Sequence, residues 1–196
     1  MSTAAETKTE LRRQLRAAMS LLTSAEREAA SDQVVQRVGA DTRWRVARTV
    51  MLFIPLADEL NILPLVDQAL RHHKTVLLPR FDPVAGNYEA AQVSNLANDL
   101  VRGPFGVTEP RADCPAGSVK QLDVTLVPGL GFDRVGRRLG RGKGHYDRLL
   151  ADAAGSFWGV GHDCQLIPEV PGEPHDVVLN CIVTPVHWVE VVSARR

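Results

Sequence analysis

The chain has 196 residues, 44% of them hydrophobic and 23% charged, and its 23 Lys+Arg balance 23 Asp+Glu to a net charge of zero. That length supports one good-sized core, and a balanced charge argues against a nucleic-acid or anionic-membrane binder, both of which carry a basic excess. Cys114, Cys164 and Cys181 are odd in number and form no C-x-x-C, which argues against a disulfide framework or a zinc site and points to a reducing, cytoplasmic setting.

The N-terminal MSTAAETKTELRRQLR is too charged for a secretory signal, and the longest apolar run, VMLFIPLA at 50–57, is far too short to span a bilayer. Residues 8–22 read as an amphipathic helix with Leu11, Leu15, Ala18 and Leu22 on one stripe. Lys8 and Arg12, four apart, project from one face of it. Thr23-Ser-Ala-Glu26 has capping-box form and opens a second helix, with Ala30, Val34 and Val38 inward and Gly39 as its stop. Val46–Leu56 is β-branched and apolar without alternation, as in a strand buried on both faces and ended by Pro55. A helix follows over 60–73 through Leu60, Leu63, Val66 and Leu70, then a short strand, Thr75–Leu78, closed by Pro79.

Tyr88–Val93 predicts a strand, GPFGVTEP at 103–110 a loop, and Leu122–Val127 a further buried strand. A helix from about Tyr146 to Ala153 and strands at Phe157–Val160 and Cys181–Thr184 complete the pattern. Strands alternating with helices imply an α/β fold in three layers, a mostly parallel sheet flanked by helices. The simplest organisation is one domain over 1–196, with the helices of residues 1–40 packed on the α/β core.

The chemistry concentrates in residues 128–148, PGLGFDRVGRRLGRGKGHYDR, where six glycines and six Lys/Arg join Asp133 and Asp147. This run follows a buried strand and precedes a helix, the place where open α/β sheets bind ligands. Glycines let backbone N–H groups approach a phosphate, and arginine forks match its oxygens. Asp147 is a hard oxygen ligand suited to magnesium. Neither the P-loop pattern nor the dinucleotide fingerprint fits, because Gly142-Lys143 is followed by Gly144, and Gly129-x-Gly131 by Arg134 three residues on. The residues themselves define an anion site without naming the anion.

Residues 127–150, VPGLGFDRVGRRLGRGKGHYDRLL, resemble the signature of the 5-formyltetrahydrofolate cyclo-ligase family, approximately PGLAFD-x-x-G-x-RLG-x-G-x-GYYD. Further family features occur in order: K-x-x-x-R at Lys8 and Arg12, a strand followed by Glu at Ile54–Glu59, LPR at 78–80, FGVTEP at 105–110, His175-Asp176 and a late IVTP. The chain departs from the pattern at His145, which replaces the first tyrosine of YYD, and at Ile62, where a threonine is usual.

The resemblance implies conversion of 5-formyltetrahydrofolate and ATP to 5,10-methenyltetrahydrofolate, ADP and phosphate, with Mg2+, on a fold similar to the NagB/RpiA/CoA-transferase-like group. By resemblance, Lys8, Arg12, Arg138, Leu139, Gly140, Arg141, Gly142, Lys143, Gly144, His145 and Tyr146 bind ATP. Arg141, Lys143 and Tyr146 are the catalytic candidates. Ile54 and Glu59, with 141–145 (Arg141, Gly142, Lys143, Gly144, His145), bind the folate, and Asp147 and Asp176 hold the metal. Phe105, Tyr146 and Trp188 are candidates to stack on its rings. His72, His73, His162, His175 and His187 show no metal-ligand spacing. The partners implied are small molecules, with no nucleic acid or membrane, acting on a monomer. A family paralogue with a drifted folate pocket and a sugar-phosphate isomerase or CoA-transferase-like enzyme stay open at this point.

Overall fold

The computed structural model describes residues 4–173 and 176–192. The first helix, α1 (Ala4–Ser20), starts earlier than its apolar stripe suggests and buries Leu15 and Met19. The capping box is present at the start of α2 (Ser24–Ala40): Thr23 N donates to Glu26 Oε2 at 2.8 Å, and Glu26 N to Thr23 Oγ1 at 3.2 Å. Gly39 does not stop that helix. It lies against Gln68, and the chain breaks at Asp41, whose carboxylate accepts Arg43 N at 2.7 Å to open α3 (Thr42–Val46). Val46 therefore belongs to a helix, and the strand expected over 46–56 shrinks to β1 (Thr49–Met51).

Leu52 N still donates to Leu77 O at 2.9 Å, and then the chain leaves the sheet as an irregular segment with Leu60 and Ile62 buried. The next helix, α4, spans Leu63–Arg71. The following strand, β2 (Thr75–Asp82), runs straight through Pro79, against expectation. Thr75 N and Leu77 O bond toward β1, so the backbone of Pro79, two residues further, faces the same side. The ladder of β1 has ended by then, at the Met51–Leu77 pair, and no partner there needs the missing N–H.

Beyond it come β3 (Asn87–Val93), α5 (Leu96–Asp99), β4 (Leu100–Arg102) and β5 (Thr108–Pro110). The expected loop at 103–110 is thus partly a strand, paired antiparallel with β4. Further on are β6 (Val124–Pro128), the hairpin β7 (Gly131–Phe132) and β8 (Arg138–Leu139), α6 (His145–Leu150), and β9 (Ser156–Val160). β10 (Cys181–Val183) and β11 (Trp188–Glu190) close the described chain.

Seven strands form one sheet in the order β11-β10-β9-β6-β1-β2-β3. The inner pairs are parallel, while β11 and β3 are antiparallel edges. Both faces are covered, as the continuous burial of Val124–Val127 requires. One cluster packs α2, α3 and α4 on the sheet through Val34, Trp44, Leu65 and Val66; another joins Phe132, Leu149 and Leu150 to Met51, Leu77 and Ile182.

The outer edge of β3 is covered by residues 115–117: Gln92 N donates to Pro115 O, and Gly117 N to Ala90 O, both at 2.8 Å. A Cβ on Gly117 would lie 2.4 Å from a Leu77 methyl, so only glycine brings the segment that close. Among the described residues no helix is long and apolar enough to cross a membrane.

Candidate active site

Where β6 ends, Pro128 and Gly129 turn the chain over the carboxyl ends of the strands. Asp133 holds the turn between β7 and β8. Its carboxylate, 1% exposed, accepts N–H groups of Arg137 at 2.9 Å, Val170 at 3.0 Å and Val135 at 3.1 Å. So fixed, β8 delivers Arg138 inward. The Arg138 side chain is 6% exposed, with Nη2 2.8 Å from Asp147 Oδ1 and its guanidinium carbon 5.6 Å from the centre of the Tyr146 ring. Leu139 points the other way, buried with Leu15 and Val170.

Gly142 and Gly144 have φ of +107° and +63°, so the chain between β8 and α6 coils tightly before His145, Tyr146 and Asp147 enter the first turn of α6. The opposite wall comes from Phe53, Ile54, Leu56 and Glu59, which follow β1, with Pro79 and Tyr88 from the β2–β3 hairpin. Together they enclose a cavity of about 280 Å³.

Its charges are matched across the space. Arg141 Nη2 lies 2.6 Å from Asp58 Oδ1 and 3.1 Å from Glu59 Oε1. Glu59 Oε2 accepts Leu56 N at 3.0 Å. Burial pushes the Glu59 carboxyl above its usual range, and Leu56 N and Arg141 offset part of that. Burial also raises the Tyr146 phenol, helped by nearby Glu59, so it remains a protonated donor. His145 shifts downward through burial and then the neighbouring Arg148 and Lys143 charges, so it is neutral near pH 7.

Of the residues singled out in the sequence, Ile54, Glu59, Arg138, Gly140, Arg141 and Lys143 line this cavity, as do Gly144, His145, Tyr146 and Asp147. Lys8, Arg12, Leu139, Gly142 and Asp176 do not. Arg12 reaches the loop from outside, donating from Nε to Gly140 O at 3.0 Å, and its guanidinium lies beside Gly142. Lys8, one turn earlier on α1, pairs with Glu173 at 2.9 Å and Asp176 at 3.6 Å.

Trp188 does not line the cavity. It packs edge-on against Trp158 at 5.4 Å, with Arg43 over both rings. The side chain of Phe105, and His175 entirely, lie outside the described residues. Sequence reasoning passed over Asp58, Phe53, Pro79 and Tyr88. Asp58, beside Glu59, carried a signal, since a second carboxylate there asks for a cation, and Pro79 sits within the LPR feature at 78–80.

Among the described residues no group of three or more His, Cys, Asp or Glu could hold a metal. Asp147 is a carboxylate in the cavity wall of the kind magnesium takes, one or two at a time beside phosphate and water oxygens, and its Oδ1 is already paired with Arg138 at 2.8 Å.

The sequence model of the 5-formyltetrahydrofolate cyclo-ligase family matches residues 4–185. A 5-formyltetrahydrofolate cyclo-ligase of Mycolicibacterium smegmatis is 40% identical over 147 residues, covering 70% of this chain and 74% of that one. Its Escherichia coli counterpart is 34% identical over 149 residues, covering 71% and 79%. The solution structure of Aquifex aeolicus 5,10-methenyltetrahydrofolate synthetase superposes with a TM-score of 0.85 at 28% identity, over 96% of this chain and 95% of that one. The match takes in the strand ends, the arginine-rich turn and the segment after β1 that together wall the cavity, and on that ground the chain belongs to the 5-formyltetrahydrofolate cyclo-ligase family.

Proposed function

We infer that the protein converts 5-formyltetrahydrofolate and ATP to 5,10-methenyltetrahydrofolate, ADP and phosphate. The observation that carries this reading is one cavity walled by the arginine-glycine turn on one side and by Ile54 and Glu59 on the other, in a chain of this family. An anion-binding loop and an aliphatic-acidic wall suit a triphosphate and a folate meeting in one space.

The N5-formyl group is an amide, so its oxygen leaves poorly when N10 attacks the formyl carbon. The formyl oxygen therefore first takes the γ-phosphoryl group and ADP departs. N10 then adds to the activated carbon, its proton is lost, the C–O bond breaks with release of phosphate, and the ring closes. The protein's part is positioning and charge neutralisation.

In this reading Arg138, Arg141 and Lys143 would neutralise phosphate oxygens, with the N–H groups of Gly140 and Gly144 as further donors, and Gly142 would shape the turn. Leu139 would contribute only its backbone, since its side chain is buried elsewhere. Arg12 would hold the loop's shape through Gly140 O, and Lys8 would serve from the same helix face. Glu59 would accept hydrogen bonds from pterin nitrogens, while Ile54 packs on the ring. Tyr146, protonated, would donate to an oxygen near the formyl group.

Asp147 would hold magnesium, which when bound supplies electrostatic screening between phosphate oxygens. Asp176 could join it only by leaving Lys8. The finer likeness to NagB/RpiA/CoA-transferase-like folds belongs to the same reading and is supported by the helix-covered parallel strands. A cytoplasmic monomer is likewise proposed; the free thiols of Cys114, Cys164 and Cys181 suit that compartment.

The test follows the near-ultraviolet absorbance of the methenyl product with 5-formyltetrahydrofolate, magnesium and ATP. An ATP-dependent rise abolished in Asp147→Ala supports the reading. No rise from a protein that binds ATP overturns it.

A further inference from the structure

Arg148 lies three residues after His145 in α6 and ties three elements together at the cavity rim. Its Nε donates to Asn87 Oδ1 on β3, and its Nη2 to Lys143 O at 3.0 Å. The same Nη2 sits 3.0 Å from His145 Nδ1. A guanidinium has donors only and keeps its proton. Nδ1 must therefore be the acceptor, and the neutral ring carries its hydrogen on Nε2.

The ring also packs edge-on against Tyr88 at 4.9 Å and Phe81 at 6.2 Å, contacts that hold its plane, while the Arg148 bond sets which nitrogen faces the guanidinium. A Cβ on Gly144 would come within 3.2 Å of Arg148 Nη1, so glycine leaves the guanidinium its place. His145 forms part of the cavity wall, and among the described residues its Nε2 has no protein acceptor.

We propose that Arg148 is a positioning residue that locks His145 in the Nε2–H tautomer, so that His145 offers the cavity an N–H donor for an oxygen of the bound ligand. The ligand part of this inference rests on the function proposed above; the tautomer does not. Two sources could supply the oxygen, the nucleotide phosphates or the folate formyl group, and they can be separated by adding each alone.

Protein labelled with 15N-histidine, with His145→Gln to assign the signal, shows by long-range 1H–15N correlation which ring nitrogen bears the proton. The wild type should be the Nε2–H form, and Arg148→Met a mixture of tautomers. An Nδ1–H ring in the wild type, or the wild-type pattern unchanged in Arg148→Met, overturns the proposal. The first of these outcomes decides the matter even if the variant does not fold.

Mg-ADP and 5-formyltetrahydrofolate are then added separately. A shift of His145 Nε2 with one of them names the oxygen, and no shift with either overturns the donor role. In turnover, His145→Leu should raise the KM for that ligand about fivefold, the scale of one hydrogen bond, and His145→Gln, which keeps a donor, should raise it less; an equal rise in both overturns the donor role. Absence of methenyl product from the wild type would strike the proposed function and leave the tautomer result standing.

Discussion

Arg141 shares its guanidinium between two carboxylates, Asp58 and Glu59, and is about one-third exposed. A partly screened ion pair of this kind adds little to stability. Under the proposed function its weight would fall on ligand use, because an anionic ligand would meet a cation that is already positioned and can be drawn from its present partners. Arg141→Ala should raise the KM for ATP about tenfold, equivalent to about 1.5 kcal/mol for a charge-assisted hydrogen bond, while the denaturation midpoint barely moves. Unchanged ATP kinetics would remove Arg141 from the nucleotide's contacts.

Arg141 was legible in the sequence because it sits among glycines in a patterned run. Asp58 was not, since 83 positions separate the two and only folding brings them together. Lys8 shows the converse: its spacing to Arg12 was read correctly, yet its partners Glu173 and Asp176 draw it away from the cavity wall.

At the level of elements, the core strands and the long helices were legible because burial on both faces and capping chemistry are local properties. Lengths were less so. The apolar run after Val46 reads as one strand, but β1 is only three residues long, since the ladder it needs ends at Leu77 and the remaining apolar residues serve the core and the cavity. Pro79 misled for a related reason: a proline ends a strand only where its N–H has a partner to lose.

Asp123 stands where β1, β6 and β9 begin. Its carboxylate accepts N–H from Arg48 at 2.7 Å and Thr49 at 2.9 Å. These bonds, Thr49 first, hold its pKa below the usual carboxylate value. A depressed folded pKa gives stability that is present above the unfolded value, about 3.9, and lost as pH falls through the folded one. Asp123→Ala should therefore lose about 1 kcal/mol or less in urea titrations at pH 7, given its exposure, and match the wild type in strong acid. A deficit that persists undiminished there would mean the bonds are not what Asp123 contributes.

For the whole molecule, the cavity is assembled from stretches far apart in sequence: the segment after β1, the β2–β3 hairpin, residues 107–108, and the turn leading into α6. A ligand held there can bind only the complete fold, so at about a hundredfold excess over its Kd it should add roughly 2.7 kcal/mol to stability. Thermal shift with Mg-ATP reads this directly, and no shift at saturating nucleotide would deny the site.

The cover on β3 has a different consequence. A seven-stranded sheet ends in two rims of unsatisfied amides, each a template on which another polypeptide could crystallise its own strand. Here one rim is only the three residues of β11 long, and the other is occupied by residues 115–117, pressed against Leu77 by a residue with no side chain. Gly117→Val should lift that seal. The expected outcome is a native-like protein turning turbid and thioflavin-positive at concentrations the wild type tolerates, and a variant that stays clear would show that some other barrier guards against fibre growth.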